Sequence, residues 1–435
     1  MSAFYIALSV FLVSVGVVLV GIKCFFEFFP KKPDIPHSPL TRWFSGKRWF
    51  SNKLFLPIKN WYAGLNENLR ILINITFVLL VSRIILYVIA YIGYCSFGDM
   101  NAPGFFNTIE KIWSGCDAPR YFHIAQNGYL SQGEYNDIIN IVFFPLYPLL
   151  MRAFYYVFGN YFVSGIFVSF ISLVTACFFF YKLLLLDYKK DTSQRIIKYF
   201  LIYPFSMFLS AVYTESAFMA LSLMSIYFMR KKNWLGCGIA GLFAAFCRAQ
   251  GILLLLPVAY EILLQLRKNK KWSFKYLYAL AIPVGMLAYL LINKVVTGEW
   301  LKFMEYQSFY WRHSFTPFTN ALQENFAHIV SDNSMRSLVN WIPEFAMFFI
   351  GFALLIAYFK RIRTSYLLYA GAFILISYSG TLMLSGARYI LGAFPIFIGM
   401  GLMTKNKTTD RLLTLGCIMY QVIIIVCYAF DRHIL

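Results

Sequence analysis

The stretch IVFFPLYPLLMRAFYYVF, residues 141–158, is apolar enough to cross a bilayer, yet it carries Pro145, Pro148 and Arg152. How it is read decides the topology of everything after it. Counted as a span, it inverts the sidedness of each later loop. Counted as a helix begun by its prolines and lying in the outer interface, it leaves the later loops in register with the charges around them. The second reading is the consistent one, because basic residues recur as clusters between apolar runs. They are 31–59, 189–198, 230–232, 267–271, 360–363 and 405–411. Placing all six on the cytoplasmic side gives an unbroken alternation of spans, as the positive-inside rule requires.

The spans so defined are about 3–29, 71–95, 161–187, 196–210, 213–229, 235–247, 249–266, 273–293, 341–359, 366–384, 388–403 and 412–430. Several fall short of the roughly 20 residues that a crossing helix needs, which implies tilt. The fold class expected is an all-α integral membrane protein of about twelve helices with two outer loops, 96–140 and 294–340, and an interfacial helix. Residues 1–29 read as a retained helix, not a cleaved signal, because the lysines follow the apolar run instead of preceding it. The segment 31–70 mixes tryptophans with basic residues, as a surface anchor on anionic lipid does. It divides the chain into an N-terminal part, 1–70, and a main transmembrane domain, 71–435.

Composition agrees. Of the 435 residues 60% are hydrophobic and 13% charged, and the mean hydropathy is +0.63. A soluble protein of this length needs roughly a quarter of its residues charged. The net charge of +20, from 39 basic and 19 acidic residues, would suit a nucleic-acid binder. Its dispersal into cytoplasmic clusters excludes that reading and makes membrane lipids the partner. The cysteines form no CxxC pair or Cys/His cluster, so there is no zinc site or disulfide framework to read. Only Cys95 and Cys116 are placed to meet in one loop. No Walker or dinucleotide motif is present, and Gly236, Gly238 and Gly241 suggest close helix packing instead.

Chemistry must sit where water and polar groups exist, which directs attention to the outer loops. In WSGCDAPRYFHIAQNGY (113–129), helical spacing puts Asp117, Tyr121 and Ile124 on one face. A carboxylate held there at the interface is placed to accept a proton from an attacking hydroxyl. The plainer alternative is a solvated loop acid, with Trp113 as an interface anchor. Arg248 lies in an apolar run, where an idle arginine is costly, and pairing with Glu215 is its structural alternative. His123 and His313 are too far apart in sequence to define a metal site.

The string W…D…YFHIAQNGY followed by FFPLYPLL resembles the opening of the GPI mannosyltransferase 2 family and its prokaryotic relatives. The likeness continues through YPFSMFLSAVYTESAFMALSL (203–223), AAFCRAQGILLLLP (244–257), FMEYQSFYWRHSFTP (303–317) and SGARYILGAFPIFI (385–398). The matching segments, in family order, cover about 71–400, and 1–70 looks like an addition. The resemblance implies a GT-C fold glycosyltransferase with a polyprenyl-phosphate sugar donor and a lipid-linked glycan or glycolipid acceptor on the outer or lumenal face. Mannose is the sugar it suggests. It implies Asp117 as catalytic base and places Tyr121, Glu215, Arg248, Gln307, Trp311, Arg312, Arg388 and Tyr389 on donor phosphate or substrate. Guanidinium groups suit a departing phosphate because their planar fork matches its oxygens. Pro119–Arg120 and Ser114–Gly115–Cys116 depart from the family pattern, and Arg120 beside the base bears on acceptor choice.

No cofactor is required, and a divalent cation finds no support beyond the open role of Glu215. A prokaryotic plasma membrane is favoured, or the endoplasmic reticulum membrane in a eukaryote. The reading from another class is a lipid-linked glycan flippase. Transporters place polar residues near the midplane, whereas here they gather at outer helix ends.

Overall fold

The structure, a computed structural model, describes residues 64–97, 104–332, 334, 336–381 and 385–430. The expected span 3–29 and nearly all of the basic segment lie outside the described residues. Within these, every regular element is helical. Six helices are long and apolar enough to cross a membrane, within Glu67–Ser96, Tyr161–Leu184, Ala249–Asn269, Phe274–Thr297, Ser337–Ala357 and Lys407–Ala429. A seventh crossing arises if Gly386–Gly392 and Pro395–Met403, which meet at 90°, count as one. The molecule is an all-helical integral membrane protein.

Several expected spans are shorter or broken, each for a backbone reason. The span 196–210 is a helix, Lys190–Ile202, that stops before Pro204 and resumes as a 3-10 turn, Ser206–Ser210. Proline supplies no N–H to continue the ladder. The span 388–403 is bent where Pro395 starts a new helix. The span 366–384 is the helix Thr364–Ser377, 14 residues long. Residues 146–158 form a helix of 13 residues that starts after Pro145 and ends at Gly159 in the left-handed conformation (φ 63°). At about 1.5 Å per residue it is some 20 Å long, short of the ~30 Å hydrocarbon layer. It is fastened to its neighbour by the Tyr147 hydroxyl, 2.9 Å from the Gly165 carbonyl and 2.7 Å from Ser169 Oγ.

Close packing of small residues holds the centre together. A Cβ on Gly238 would lie 2.0 Å from the Tyr278 carbonyl oxygen, and one on Gly285 would lie 2.0 Å from that of Leu242. Helix Trp234–Cys247 and the segment Phe274–Thr297 therefore touch through bare backbone.

The helix Glu215–Arg230 sets the two ends of the bundle about 24 Å apart. At its Arg230 end, that guanidinium grips Asp187 at 2.6 and 2.8 Å. Nearby Arg363 grips Glu261 at 2.6 and 2.8 Å. Tyr188 donates to the Arg361 carbonyl at 2.8 Å. The basic clusters around 189, 230 and 361 thus share one end, as the charge alternation expects. At the Glu215 end lie the residues singled out for chemistry.

Candidate active site

Each of the four central residues stands at a helix terminus. Asp117 precedes helix Ala118–Asn127, whose first turn contains Pro119. Glu215 opens helix Glu215–Arg230. Arg248 ends helix Trp234–Cys247 in an extended conformation. Arg388 lies in the short helix Gly386–Tyr389, which follows Ser385 at φ 68°. Chain ends of this kind project side chains beyond the apolar barrels, so four distant segments converge.

Their contacts form one cluster. Arg388 Nε donates to Glu215 Oε1 at 2.7 Å. Arg248 Nη1 donates to the same oxygen at 2.8 Å. Both terminal nitrogens of Arg388 reach Asp117 Oδ2 at 3.3 Å. Glu215 Oε2 is buried and finds no donor among the described residues. The side chain of Asp117 is 33% exposed, against 8% for Arg388 and 3% for Glu215. The outermost member is therefore the one acid open to a ligand.

Aromatic rings floor the cluster. The Arg388 guanidinium lies 4.5 Å from the Tyr213 ring centre and 4.8 Å from that of Phe208. Arg248 lies 5.1 Å from the Tyr389 ring. Rings in such positions offset part of the cost of burying a guanidinium. Tyr121 is buried edge-on against Phe143, Tyr147 and Tyr213. Burial, and then the negative charges of Asp117 and Glu215, hold its phenol well above the usual tyrosine range, so it stays protonated. Cys116, at φ 54°, is exposed at its surface, and partial desolvation of its thiol, then the charge of Asp117, push that thiol up. It makes no disulfide with Cys95.

The second outer loop approaches through Trp311, whose ring meets Phe143 at 6.0 Å. Gln307 contributes its backbone carbonyl, which accepts from the Arg312 and His313 amides. Arg312 is exposed, at φ 50°, and stands outside the ion-pair cluster. Thr381 Oγ1 donates to the Arg312 carbonyl, and the Ser314 amide donates to Thr381 Oγ1 at 3.2 Å. This zips the loop to the segment preceding Arg388.

One reading from the sequence is revised by this geometry and one alternative is found. Trp113 is 1% exposed and packs edge-on against Tyr87 and Tyr428, so it is a core residue and not an interface anchor. The Arg248–Glu215 pair, expected as the structural alternative for Arg248, is present. His123 is engaged within its own loop: its Nε2 lies 2.8 Å from Asp137 and its Nδ1 2.9 Å from Asn140 Nδ2. Among the described residues no three His, Cys, Asp or Glu side chains gather as a metal cradle.

Residues not singled out from the sequence also enter the site. Phe208 and Tyr213 floor Arg388, while Arg83 and Glu344 are buried in apolar helices. The criterion that marks Arg248, a charge inside an apolar run, applies equally to Arg83 and Glu344.

No family model matches the chain, and no curated protein matches it. Among solved structures it is similar to ArnT from Cupriavidus metallidurans in the apo state, with 14% sequence identity and a TM-score of 0.47. The likeness covers 70% of this chain and 60% of that one, so the chain spans less than two thirds of its length. A likeness this distant leaves the chemistry to be read from the chain's own residues.

Proposed function

We propose that the chain is a membrane glycosyltransferase of the GT-C type. It moves a hexose, mannose in the first instance, from a polyprenyl phosphate to a hydroxyl of a lipid-linked glycan or glycolipid. Residues 71–435 form the catalytic domain, and the outer face of a prokaryotic plasma membrane is the favoured site. The ordered family-like segments support this reading. The observation that carries it is the unequal grip of Arg388 on its two carboxylates.

Glu215 occupies the Nε edge of Arg388 at 2.7 Å, while the terminal nitrogens share one Asp117 oxygen at 3.3 Å. Two carboxylates and two guanidiniums make the cluster neutral as it stands. An incoming phosphate must therefore displace a carboxylate, and the exposed, loosely held Asp117 is the one to yield. The phosphate then takes the terminal edge of Arg388, and Asp117 is released as a base. The acceptor oxygen bonds to the anomeric carbon with inversion while the bond from that carbon to the phosphate oxygen breaks. The acceptor's proton passes to Asp117, and the electron pair leaves with the phosphate. Arg388 and the exposed Arg312 supply positive charge where negative charge develops, and Arg248 keeps Glu215 in place. Tyr121, Trp311 and Tyr389 are the aromatic side chains assigned to the substrate, with Gln307 behind the Arg312 turn.

The deciding experiment incubates purified protein with radiolabelled polyprenyl-phosphate hexoses and a membrane-lipid extract as acceptor. Label entering a glycolipid from the mannosyl donor supports the reading. Label from another hexose alone would correct the sugar, and no transfer from any donor would end the proposal.

A further inference from the structure

Arg388 does two jobs in the proposed reaction, so the backbone that presents it must be held. We propose that Glu344 and Tyr203 are positioning residues for Arg388, each gripping one of the two residues that lead into it. Glu344 Oε1 accepts the Gly386 amide proton at 3.1 Å. The Tyr203 hydroxyl donates to the Ala387 carbonyl at 2.6 Å. Both side chains are buried, at 3% and 2% exposure.

Several observations set this apart from ordinary core packing. A buried carboxyl is costly unless a cation or several donors meet it. Glu344 has no ion pair among the described residues, and its Oε2 meets no donor in good geometry, with only the neutral Ser385 amide and Asn325 side chain nearby. Its carboxyl is engaged by the Gly386 amide, and its own carbonyl accepts from Tyr378 at 2.6 Å. Ser385, just before the gripped pair, sits at φ 68°, a conformation that a non-glycine residue keeps only when its surroundings impose it.

Tyr203 is anchored in turn. It lies where helix Lys190–Ile202 has broken at Pro204, and the freed acceptors there are met by two buried side chains. Gln421 Nε2 donates to Ser206 Oγ at 2.7 Å and to the Tyr203 carbonyl at 3.3 Å. Arg83 Nη1 donates to the Ser206 carbonyl at 3.2 Å. Arg83 has no carboxylate partner among the described residues; the Ser206 carbonyl and that of Leu201, at the helix C-terminus, stand in for one. The segment so fixed also carries Phe208 and Tyr213, the rings beneath Arg388. One hydroxyl therefore ties the floor of the guanidinium to the backbone that bears it.

The proposal rests on Arg388 being the group that meets the donor phosphate. A displacement of about 1 Å at such a group costs on the order of a hundredfold in rate. Full-length protein in lipid nanodiscs is compared with E344L, E344Q and Y203F in two measurements, hydrogen exchange over 385–394 and transfer kinetics. E344L is expected to exchange faster there and to lose about 10- to 100-fold in kcat. E344Q keeps an acceptor oxygen for Gly386 and is expected to stay within about threefold of the parent, since the role assigned needs the acceptor and not the charge. Y203F keeps the ring, guards against misfolding of E344L, and is expected to show faster exchange with kcat down about tenfold. Unchanged exchange and kcat in both E344L and Y203F would overturn the grip, as would E344Q being as impaired as E344L. If the parent transfers no sugar, the reaction is wrong, while the exchange data still decide the grip.

Discussion

The terminal nitrogens of Arg388 both reach one oxygen of Asp117, each at 3.3 Å, while its Nε is taken by Glu215 at 2.7 Å. Asp117 is thus both a competitor for the anion site and a base in waiting. Asp117→Asn is expected to lower transfer by about 10²–10⁴-fold. It should also tighten binding of a polyprenyl monophosphate, because the competing charge is gone. Equilibrium binding of that lipid and single-turnover transfer check the two halves. Weaker phosphate binding in the variant would refute the exchange.

Glu215 is the opposite case, a buried acid shared by Arg248 and Arg388 at 2.8 and 2.7 Å. Removing it leaves two buried cations facing each other. Glu215→Ala is expected to cost about 3–5 kcal/mol, the usual penalty for orphaning a buried charge. Its thermal unfolding in detergent should shift down by several degrees. Asp117→Ala, outermost in the same cluster, should shift far less.

Much of this site was legible because membrane proteins restrict where charge can go. Charge parity alone put Asp117, Glu215, Arg248 and Arg388 at one end of the bundle, and the spacing of Asp117, Tyr121 and Ile124 disclosed a helix. The breaks were not legible. Hydropathy reads 196–210 and 388–403 as continuous, since Pro204 and Pro395 change backbone direction without changing polarity. Those breaks place Tyr213 and Phe208 under Arg388, so hydropathy does not disclose the floor of the site. Glu344 lies inside an apolar span, where an ionisable residue is itself a signal.

The second outer loop should respond to acid through His313. Burial pushes its imidazole below the ordinary value of about 6.5. A Cβ on Gly380 would lie 2.5 Å from its Nε2, so the ring sits flat against the chain. The folded state thus binds fewer protons than the unfolded one. The stability contributed is present above the unfolded pKa and is lost as pH falls through the depressed folded value. The protection factors of amides over 303–317, which remove the intrinsic pH dependence of exchange, are expected to fall between pH 7.5 and 5.5. His313→Gln should flatten that dependence; an equal pH response in the variant would assign it elsewhere.

The last prediction concerns what keeps the four helix ends convergent. The backbone contact between helix Trp234–Cys247 and the segment Phe274–Thr297 admits no side chain, since a Cβ on Gly285 would meet the Leu242 carbonyl oxygen at 2.0 Å. Two packed backbones have no flexible atom to give way, so Gly285→Ala must part the helices. Arg248 ends the first of them, and its distance from Glu215 would change with the parting. Gly285→Ala is expected to lower both the unfolding temperature and the yield of folded protein. Gly371→Ala is the matched control: nothing lies within 4 Å of its Cβ, and it falls inside helix Thr364–Ser377. There alanine is favoured over glycine by about 1 kcal/mol, so unfolding should stay put or rise. If both substitutions behave alike, the effect belongs to helix propensity and the packing argument fails.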